Sequence, residues 1–206
     1  MTSLITTLFV DVGGVLLTNA WERQARQRAA ERFKLDLAEM NDRHALTVDT
    51  YERGKLSLDD YLARVVFYEE RAFSRDEFKA FMFEQSRRLP DMIEFVQALK
   101  CHYKLRVALI SNEGRELTEH RVRNCLPAEV ADFFIFSCCV HVRKPDADIF
   151  QLALDVAQAD PARVAYLDDR PMFAEVASSI GIHAIQHIDI ATTRYALAQL
   201  GLTLEG

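Results

Sequence analysis

The chain has 206 residues, of which half are hydrophobic and 27% are charged, so it can bury a substantial core and is not expected to be disordered. Its formal net charge is −6, from 31 acidic residues against 25 lysines and arginines. This balance argues against a protein that binds nucleic acid over much of its surface. The length suits one medium-sized domain, or one domain that carries a smaller insert.

The spacing of the cysteines and the length of the apolar runs indicate the cellular compartment of the protein. Cys101, Cys125, Cys138 and Cys139 match neither a small disulfide framework nor a zinc motif. Because Cys138 and Cys139 follow an apolar run, we predict that they are buried free thiols. The start of the chain lacks the pattern of a signal peptide, and no run approaches the ~20 apolar residues of a membrane span. We therefore expect a cytoplasmic protein without membrane association.

The first predicted element is a short buried strand over residues 4–10, followed by Asp11 and a pair of glycines. A carboxylate at the end of such a strand is costly unless its charge is used. Gly13 and Gly14 would let backbone amides approach a ligand closely and form an anion-binding concavity. The alternative is a simple turn after a core strand.

Residues 19–89 contain no convincing strand and several helix signals. Apolar residues recur at every fourth position, at Trp21, Ala25, Ala29 and Phe33. Two capping boxes are expected ahead of further apolar stripes, formed by Ser57 with Asp60 and by Ser74 with Glu77. We predict a small helical domain inserted after the first strand.

From Pro90 onward, strand and helix patterns alternate. Strands are predicted over 105–110, 133–136, 164–167 and 183–186, with helices around 115–123, 148–158 and 173–180. Such alternation with nearly continuous apolar strands is typical of a parallel sheet covered by helices. The predicted fold class is α/β: a Rossmann-like core over 1–18 and 90–206, with a mostly parallel sheet, and an all-α domain over 19–89.

Polar groups follow several of the predicted strands. Asp11 follows the first, Ser111 and Asn112 the second, and Asp168 and Asp169 the fourth, while the loop after the third carries Lys144. In open α/β sheets, ligands bind at the carboxyl ends of the strands. Clustered carboxylates favour a hard cation such as Mg²⁺, and a lysine with a hydroxyl favours a phosphoryl group.

These segments, in this order, resemble the four motifs of the haloacid dehalogenase (HAD) superfamily. They are Asp11-Val12-Gly13-Gly14-Val15, Ile110-Ser111-Asn112, Arg143-Lys144-Pro145 and Leu167-Asp168-Asp169. The resemblance covers essentially the whole chain and is greatest to the phosphatase-like subfamily with an α-helical C1 cap. It implies a hydrolase that releases phosphate from a small phosphorylated metabolite, with residues 19–89 as the cap.

The resemblance also implies roles for individual residues. Asp11 would be the nucleophile, assisted by Ser111 and Lys144. The phosphoryl group would be held by Gly13, Gly14, Ser111, Asn112 and Lys144. The Mg²⁺ ligands would be the Asp11 carboxylate, the Gly13 carbonyl, Asp168 and Asp169, the last two directly or through water. Asp168 or Asp169 could also serve as a helix N-cap ahead of Pro171.

One position departs from the family pattern. Phosphatases of this superfamily usually place a second aspartate two residues after the nucleophile, as the general acid and base, and here that residue is Gly13. General acid–base catalysis contributes about 10²–10⁴ in rate, so the proton donor has to be found elsewhere. Glu113, Asp49 and Glu52 are candidates. Alternatively, the substrate has a good leaving group, or turnover is slow.

Two other functions stay open at this point. A metal-independent 2-haloacid dehalogenase would also use Asp11, Ser111-Asn112 and Lys144, but that branch usually has an aromatic residue in place of Gly13. The other is a catalytically weak ligand-binding member of the fold. Three more side chains have two alternatives each: His141 could reach the pocket or be a tolerated substitution, and Arg53 or Lys55 could contact the remote end of a substrate or serve only in a turn.

Overall fold

The computed structural model describes residues 5–204 and contains one five-stranded sheet in the order β3-β2-β1-β4-β5, with every neighbouring pair parallel. The predicted parallel sheet flanked by helices is therefore confirmed. The strands are β1 (Thr7–Val10), β2 (Arg106–Ser111), β3 (Phe133–Phe136), β4 (Val164–Asp168) and β5 (His183–Gln186).

The helices fall into two groups. Four lie between β1 and β2 and form the helical segment: α1 (Arg23–Phe33), α2 (Leu37–Glu52), α3 (Leu58–Val65) and α4 (Arg75–Glu84). Those associated with the sheet are α5 (Pro90–Tyr103), α6 (Arg115–Asn124), α7 (Ser137–Val140), α8 (Ala147–Ala157), α9 (Pro171–Ser179) and α10 (Ile190–Gln199).

The sheet has a hydrophobic cluster on each face, because successive side chains of a strand point to opposite sides. Leu8 and Val10 pack with residues of α5 on one face, such as Val96. Phe9 packs on the other face with residues of α8, such as Phe150. Burial on both faces explains why the strands are apolar throughout.

The register aligns the carboxyl ends of the central strands. Val10 is paired with Leu109 of β2 and with Leu167 of β4. Both neighbouring strands run one residue further than the sequence predicts, so Ser111 and Asp168 lie within the strands. The ladder therefore fixes their backbones. The predicted start of β1 at Leu4 lies outside the described residues.

The helical segment has a hydrophobic cluster of its own, centred on Phe78 and Tyr61. The predicted capping box of Ser74 and Glu77 is present at the start of α4. At α3 only half of the expected capping box forms. The Ser57 hydroxyl accepts a hydrogen bond from the Asp60 N–H, but the Asp60 carboxylate accepts from that hydroxyl and not from the Ser57 N–H.

The cysteines only partly follow the prediction. All four are free thiols, and Cys125 and Cys138 are buried, but Cys101 and Cys139 are exposed. Cys139 is exposed because it lies on the outer side of the short helix α7, whereas Cys138 faces the core. Within residues 5–204, no helix is long and apolar enough to cross a membrane.

We predict that Phe78→Ala destabilises the protein by about 3–5 kcal/mol, because the ring is fully buried among aromatic neighbours and its loss leaves a cavity. Urea unfolding monitored by circular dichroism measures this change. Leu46→Ala is the matched control. Leu46 is 87% exposed, so its removal should change the free energy of unfolding by less than about 0.5 kcal/mol. Equal effects of the two substitutions would contradict the assigned core.

Candidate active site

The structure brings four of the predicted site residues together at the carboxyl edge of the sheet. Asp11 follows β1, Ser111 ends β2, Asp168 ends β4, and Lys144 lies in the loop after α7. All four are buried, and Lys144 is only 1% exposed. Buried charges of this kind are stable only when they compensate one another.

The Lys144 ammonium provides that compensation. Its Nζ lies 3.0 Å from Asp11 Oδ1 and 2.6 Å from Asp168 Oδ2, and it also donates to the Tyr166 hydroxyl at 3.1 Å. The Lys144 backbone is fixed as well, since Asn112 exchanges two hydrogen bonds with its N–H and carbonyl, each 2.8 Å long. Asn112 therefore positions the lysine.

Asp11 lies in an environment that opposes its charge. Burial raises the pKa of Asp11 to about 7, and the nearby Lys144 limits that rise. The Val12 N–H donates to Asp11 Oδ1 at 2.7 Å, which fixes the carboxylate. A cation bound beside it would favour the ionised form that a nucleophile requires.

Asp168 and Asp169 differ in how many hydrogen bonds they already make. Both oxygens of Asp168 accept hydrogen bonds: Lys144 and Tyr166 donate to Oδ2, and the Arg170 N–H donates to Oδ1 at 2.8 Å. Asp169 accepts from Asn19 Nδ2 at 2.7 Å through Oδ2, but its buried Oδ1 has no hydrogen-bond partner among the described residues.

A cation fits this arrangement. Carboxylate oxygens of Asp11, Asp168 and Asp169 lie within 4.8 Å of one another. An all-oxygen, anionic set of donors suits Mg²⁺, and a bound ion would satisfy the orphaned oxygen of Asp169.

The two glycines after Asp11 are needed because other side chains occupy the adjacent space. Gly14 has φ +76°, and a Cβ there would lie 2.3 Å from Asp169 Oδ2. A Cβ on Gly13 would lie 2.5 Å from Asn19 Oδ1. Asn19 thus occupies the space that a side chain at position 13 would enter, while its amide holds Asp169.

A buried ion pair beneath the site was not identified in the sequence as a unit. Glu113 accepts from Arg121 Nη1 at 2.5 Å and from the Ser111 hydroxyl at 3.0 Å. Arg121 also donates to the Thr18 carbonyl at 2.8 Å, which ties α6 to the chain after β1. The spacing of the two residues gives no helical signal, because Glu113 precedes α6 and Arg121 lies within it. Glu113 is thereby committed to orienting Ser111.

The site opens into a cavity of about 470 Å³ between the sheet edge and the helical segment. Asp11, Gly13, Ser111, Asn112 and Lys144 line its floor. The opposite wall comes from α1 and α2 and the chain before them. It is formed by residues such as Trp21, Arg26, His44, Tyr51 and Glu52.

Glu52, the last residue of α2, lines the cavity and lies next to Arg143. Glu52 Oε2 lies 2.6 Å from Arg143 Nη2, although the two groups are not aligned for a hydrogen bond. Burial raises the pKa of Glu52 to about 7, with Arg143 and Arg170 opposing the shift. Asp49 is different: it is exposed, and hydrogen bonding to Arg53 lowers the pKa of its carboxyl.

The structure decides the alternatives left open for several neighbouring residues. His141 does not line the cavity, because its ring Nδ1 lies 2.7 Å from the Arg53 carbonyl oxygen. Arg53 and Lys55 do not line it either, and Arg53 is paired with Asp49 at 3.0 Å. The N-cap of α9 is Arg170 and not Asp168 or Asp169, because β4 extends to Asp168 and the helix begins only at Pro171.

Comparison with known proteins identifies the family. A family model described as haloacid dehalogenase-like hydrolase matches residues 5–181, and the chain therefore belongs to this family of hydrolases. A curated mouse protein, acyl-CoA dehydrogenase family member 10, is 40% identical over 55 residues, which is 27% of this chain and only 5% of that protein.

Solved structures share the fold at low sequence identity. A predicted HAD-like hydrolase from Porphyromonas gingivalis has a TM-score of 0.77 at 18% identity, covering 98% of this chain and all of the other. The HAD family enzyme bt-2542 of Bacteroides thetaiotaomicron, solved with magnesium and inorganic phosphate, has a TM-score of 0.71 at 20% identity, covering 88% and 93% of the two chains. L-2-haloacid dehalogenase from Xanthobacter autotrophicus has a TM-score of 0.64 at 13% identity, covering 97% and 85%.

We predict that Gly13→Ala lowers the free energy of unfolding by about 1–3 kcal/mol, because its Cβ collides with Asn19. Asn19→Ala in the same chain should recover most of that loss. A double-mutant cycle of urea midpoints measures the coupling between the two positions. Strictly additive effects would show that Asn19 does not occupy this space.

Proposed function

We propose that this hydrolase is a Mg²⁺-dependent phosphatase that acts on a small phosphorylated metabolite through an aspartyl-phosphate on Asp11. The observation that carries the proposal is the position of Lys144 between Asp11 and Asp168, beside the unsatisfied carboxylate of Asp169. A lysine combined with a carboxylate-bound cation is what a transferring phosphoryl group requires.

The metal would be held by Asp11, Asp169 and the Gly13 carbonyl. We assign Asp169 as a direct ligand, because its Oδ1 has no other partner, whereas both oxygens of Asp168 are already hydrogen bonded. Asp168 would then act through water and through Lys144. When bound, Mg²⁺ neutralises charge on the phosphoryl oxygens and keeps Asp11 ionised.

The reaction proceeds in two steps on the residues of this chain. An Asp11 oxygen attacks phosphorus, the bond from phosphorus to the leaving oxygen breaks, and that oxygen takes a proton. Water then gives a proton to the base and attacks phosphorus, the bond from phosphorus to the Asp11 oxygen breaks, and inorganic phosphate and the Asp11 carboxylate are released. Ser111 and Lys144 contact the phosphoryl group, and the amides after Asp11, including that of Gly14, approach its oxygens.

Glu52 is our candidate for the missing acid and base. It lines the same cavity as Asp11, and burial raises its pKa to about 7, close to the value at which a group can donate and accept protons at neutral pH. Glu113 is held by Arg121 and Ser111, and Asp49 is exposed outside the cavity. The helical segment 19–89 would then act both as a cap that limits access of water and as the source of the proton donor.

We expect wild-type protein to release phosphate from members of a metabolite panel in Mg²⁺, and to lose this activity in EDTA. Asp11→Asn should abolish it, because the amide cannot attack phosphorus. Asp59→Asn, on the exposed surface of α3, is the control and should leave the rate unchanged. Chloride release from a 2-chloro acid in EDTA would instead identify a dehalogenase, and saturable binding without turnover would identify a binding protein.

Glu52→Gln separates the acid–base role from binding. For an alkyl phosphate, whose leaving group must be protonated, we expect kcat/KM to fall by about 10²–10³. For 4-nitrophenyl phosphate, which has a good leaving group, the first step should change little.

The pH profile gives a second readout of the same role. Proton donation requires neutral Glu52, so kcat/KM for the alkyl ester in wild type should fall as the pH rises through about 7. Glu52→Gln should lack this limb. Asp49→Asn, which also removes a contact to Arg143, is the matched control and should keep it. Equal losses of kcat/KM for the alkyl phosphate and for 4-nitrophenyl phosphate in Glu52→Gln would reject Glu52 as the acid and base.

A further inference from the structure

The helical wall of the cavity contains a cation, Arg26, with no carboxylate oxygen of the described residues within 4.0 Å of its nitrogens, although Glu22 favours its charge from further away. Arg26 lies on α1, and its guanidinium donates from Nε to Asn41 Oδ1 and from Nη1 to the Trp21 carbonyl, both at 2.8 Å. Both acceptors are neutral. Glu22 also lines the cavity, yet Arg26 forms no ion pair within the described part of the chain.

These contacts fix the guanidinium in place. Arg26 is half-buried, and burial lowers its pKa, which means that its charge is poorly solvated there. The second terminal nitrogen, Nη2, makes no hydrogen bond with any residue between 5 and 204. A partly desolvated cation held by neutral groups is stabilised when an anion binds to it.

His44 lies beside Arg26, and its protonation can be derived from the hydrogen bonds around Tyr61. The Trp21 indole can only donate, and it donates to the Tyr61 hydroxyl at 2.7 Å. The same buried hydroxyl lies 2.7 Å from His44 Nδ1. Since the Tyr61 proton needs an acceptor, it goes to Nδ1, and the proton of the neutral His44 ring is on Nε2.

The Nε2–H of His44 is therefore a free donor at the cavity. Burial, with Arg26 and Arg143 adding to it, lowers the pKa of His44 to about 3, so the ring is neutral at pH 7. Its Nδ1 is turned to Tyr61, and Nε2 has no partner among the residues described. Arg26 and His44 thus present two donors and no acceptor to the same cavity that contains Asp11.

We propose that Arg26 and His44 form a second anion-binding subsite, which selects phosphate monoesters that carry a further carboxylate or phosphate on the leaving group. The inference deepens the proposed function and rests on it. The reacting phosphate would lie at Asp11 and Lys144, and the second anion would contact the helical segment. Charge-assisted hydrogen bonds to a fixed guanidinium are stronger than neutral ones.

The test compares phosphate esters of ω-hydroxy carboxylic acids, over a series of chain lengths, with their methyl esters and with the corresponding bisphosphates. We expect kcat/KM in Mg²⁺ to be at least about tenfold higher for the acid than for its ester at the best length. Arg26→Gln should remove most of this preference through KM and leave the ester within about threefold. Preference for the bisphosphate over the acid would identify phosphate as the second anion.

Arg28→Gln is the matched control. Arg28 lies on the same helix but is exposed and bonded to Gln85, outside the cavity, so the preference should persist in this variant. Equal kcat/KM for acid and ester at every length, or the same loss in Arg28→Gln, overturns the subsite.

Two further measurements separate the subsite from the phosphatase. If no ester releases phosphate, the proposed function fails, and calorimetry then tests the subsite by itself. Tighter binding of the acid than of its methyl ester, abolished by Arg26→Gln, supports the subsite. Equal binding of the two compounds rejects the subsite. Nitrogen-15 NMR of His44 should show the Nε2–H tautomer at pH 7, changed by Tyr61→Phe. An Nδ1–H tautomer in wild type would overturn the role of His44.

Discussion

The ion contacts of Lys144 are the interaction on which the site depends. Its ammonium holds two buried carboxylates, Asp11 and Asp168, at the ends of adjacent strands where they would otherwise repel each other. Asn112 fixes the lysine backbone and Tyr166 its ammonium. The sheet and its two hydrophobic layers supply a rigid frame for this arrangement, because the parallel register brings these strand ends to one edge.

In the proposed mechanism, one small region connects proton transfer with metal binding. Gly13 leaves room for Asn19, and Asn19 orients Asp169, so the side chain next to Gly13 supports the proposed metal site. In our proposal, the acid–base function passes to Glu52 on the helical segment. Such an enzyme would be active only when that segment covers the sheet edge, which would couple substrate enclosure to proton donation.

The packing of the helical segment positions side chains that line the cavity. Its aromatic cluster holds Tyr61, which relays a hydrogen bond from Trp21 to His44. Arg26 and His44 line the cavity. Arg53, by contrast, connects the end of α2 to the core through hydrogen bonds with His141.

The sequence by itself determined the fold class, the element order and the candidate residues at the strand ends, because apolar periodicity and strand–loop boundaries are local properties. Only the tertiary structure decided which oxygens are free, since Asp168 and Asp169 are neighbours in sequence but differ in partners supplied by Lys144 and Asn19. It also distinguished Glu52 from Asp49, three residues apart on one helix. Burial and pairing depend on contacts between distant segments, which local sequence patterns do not encode.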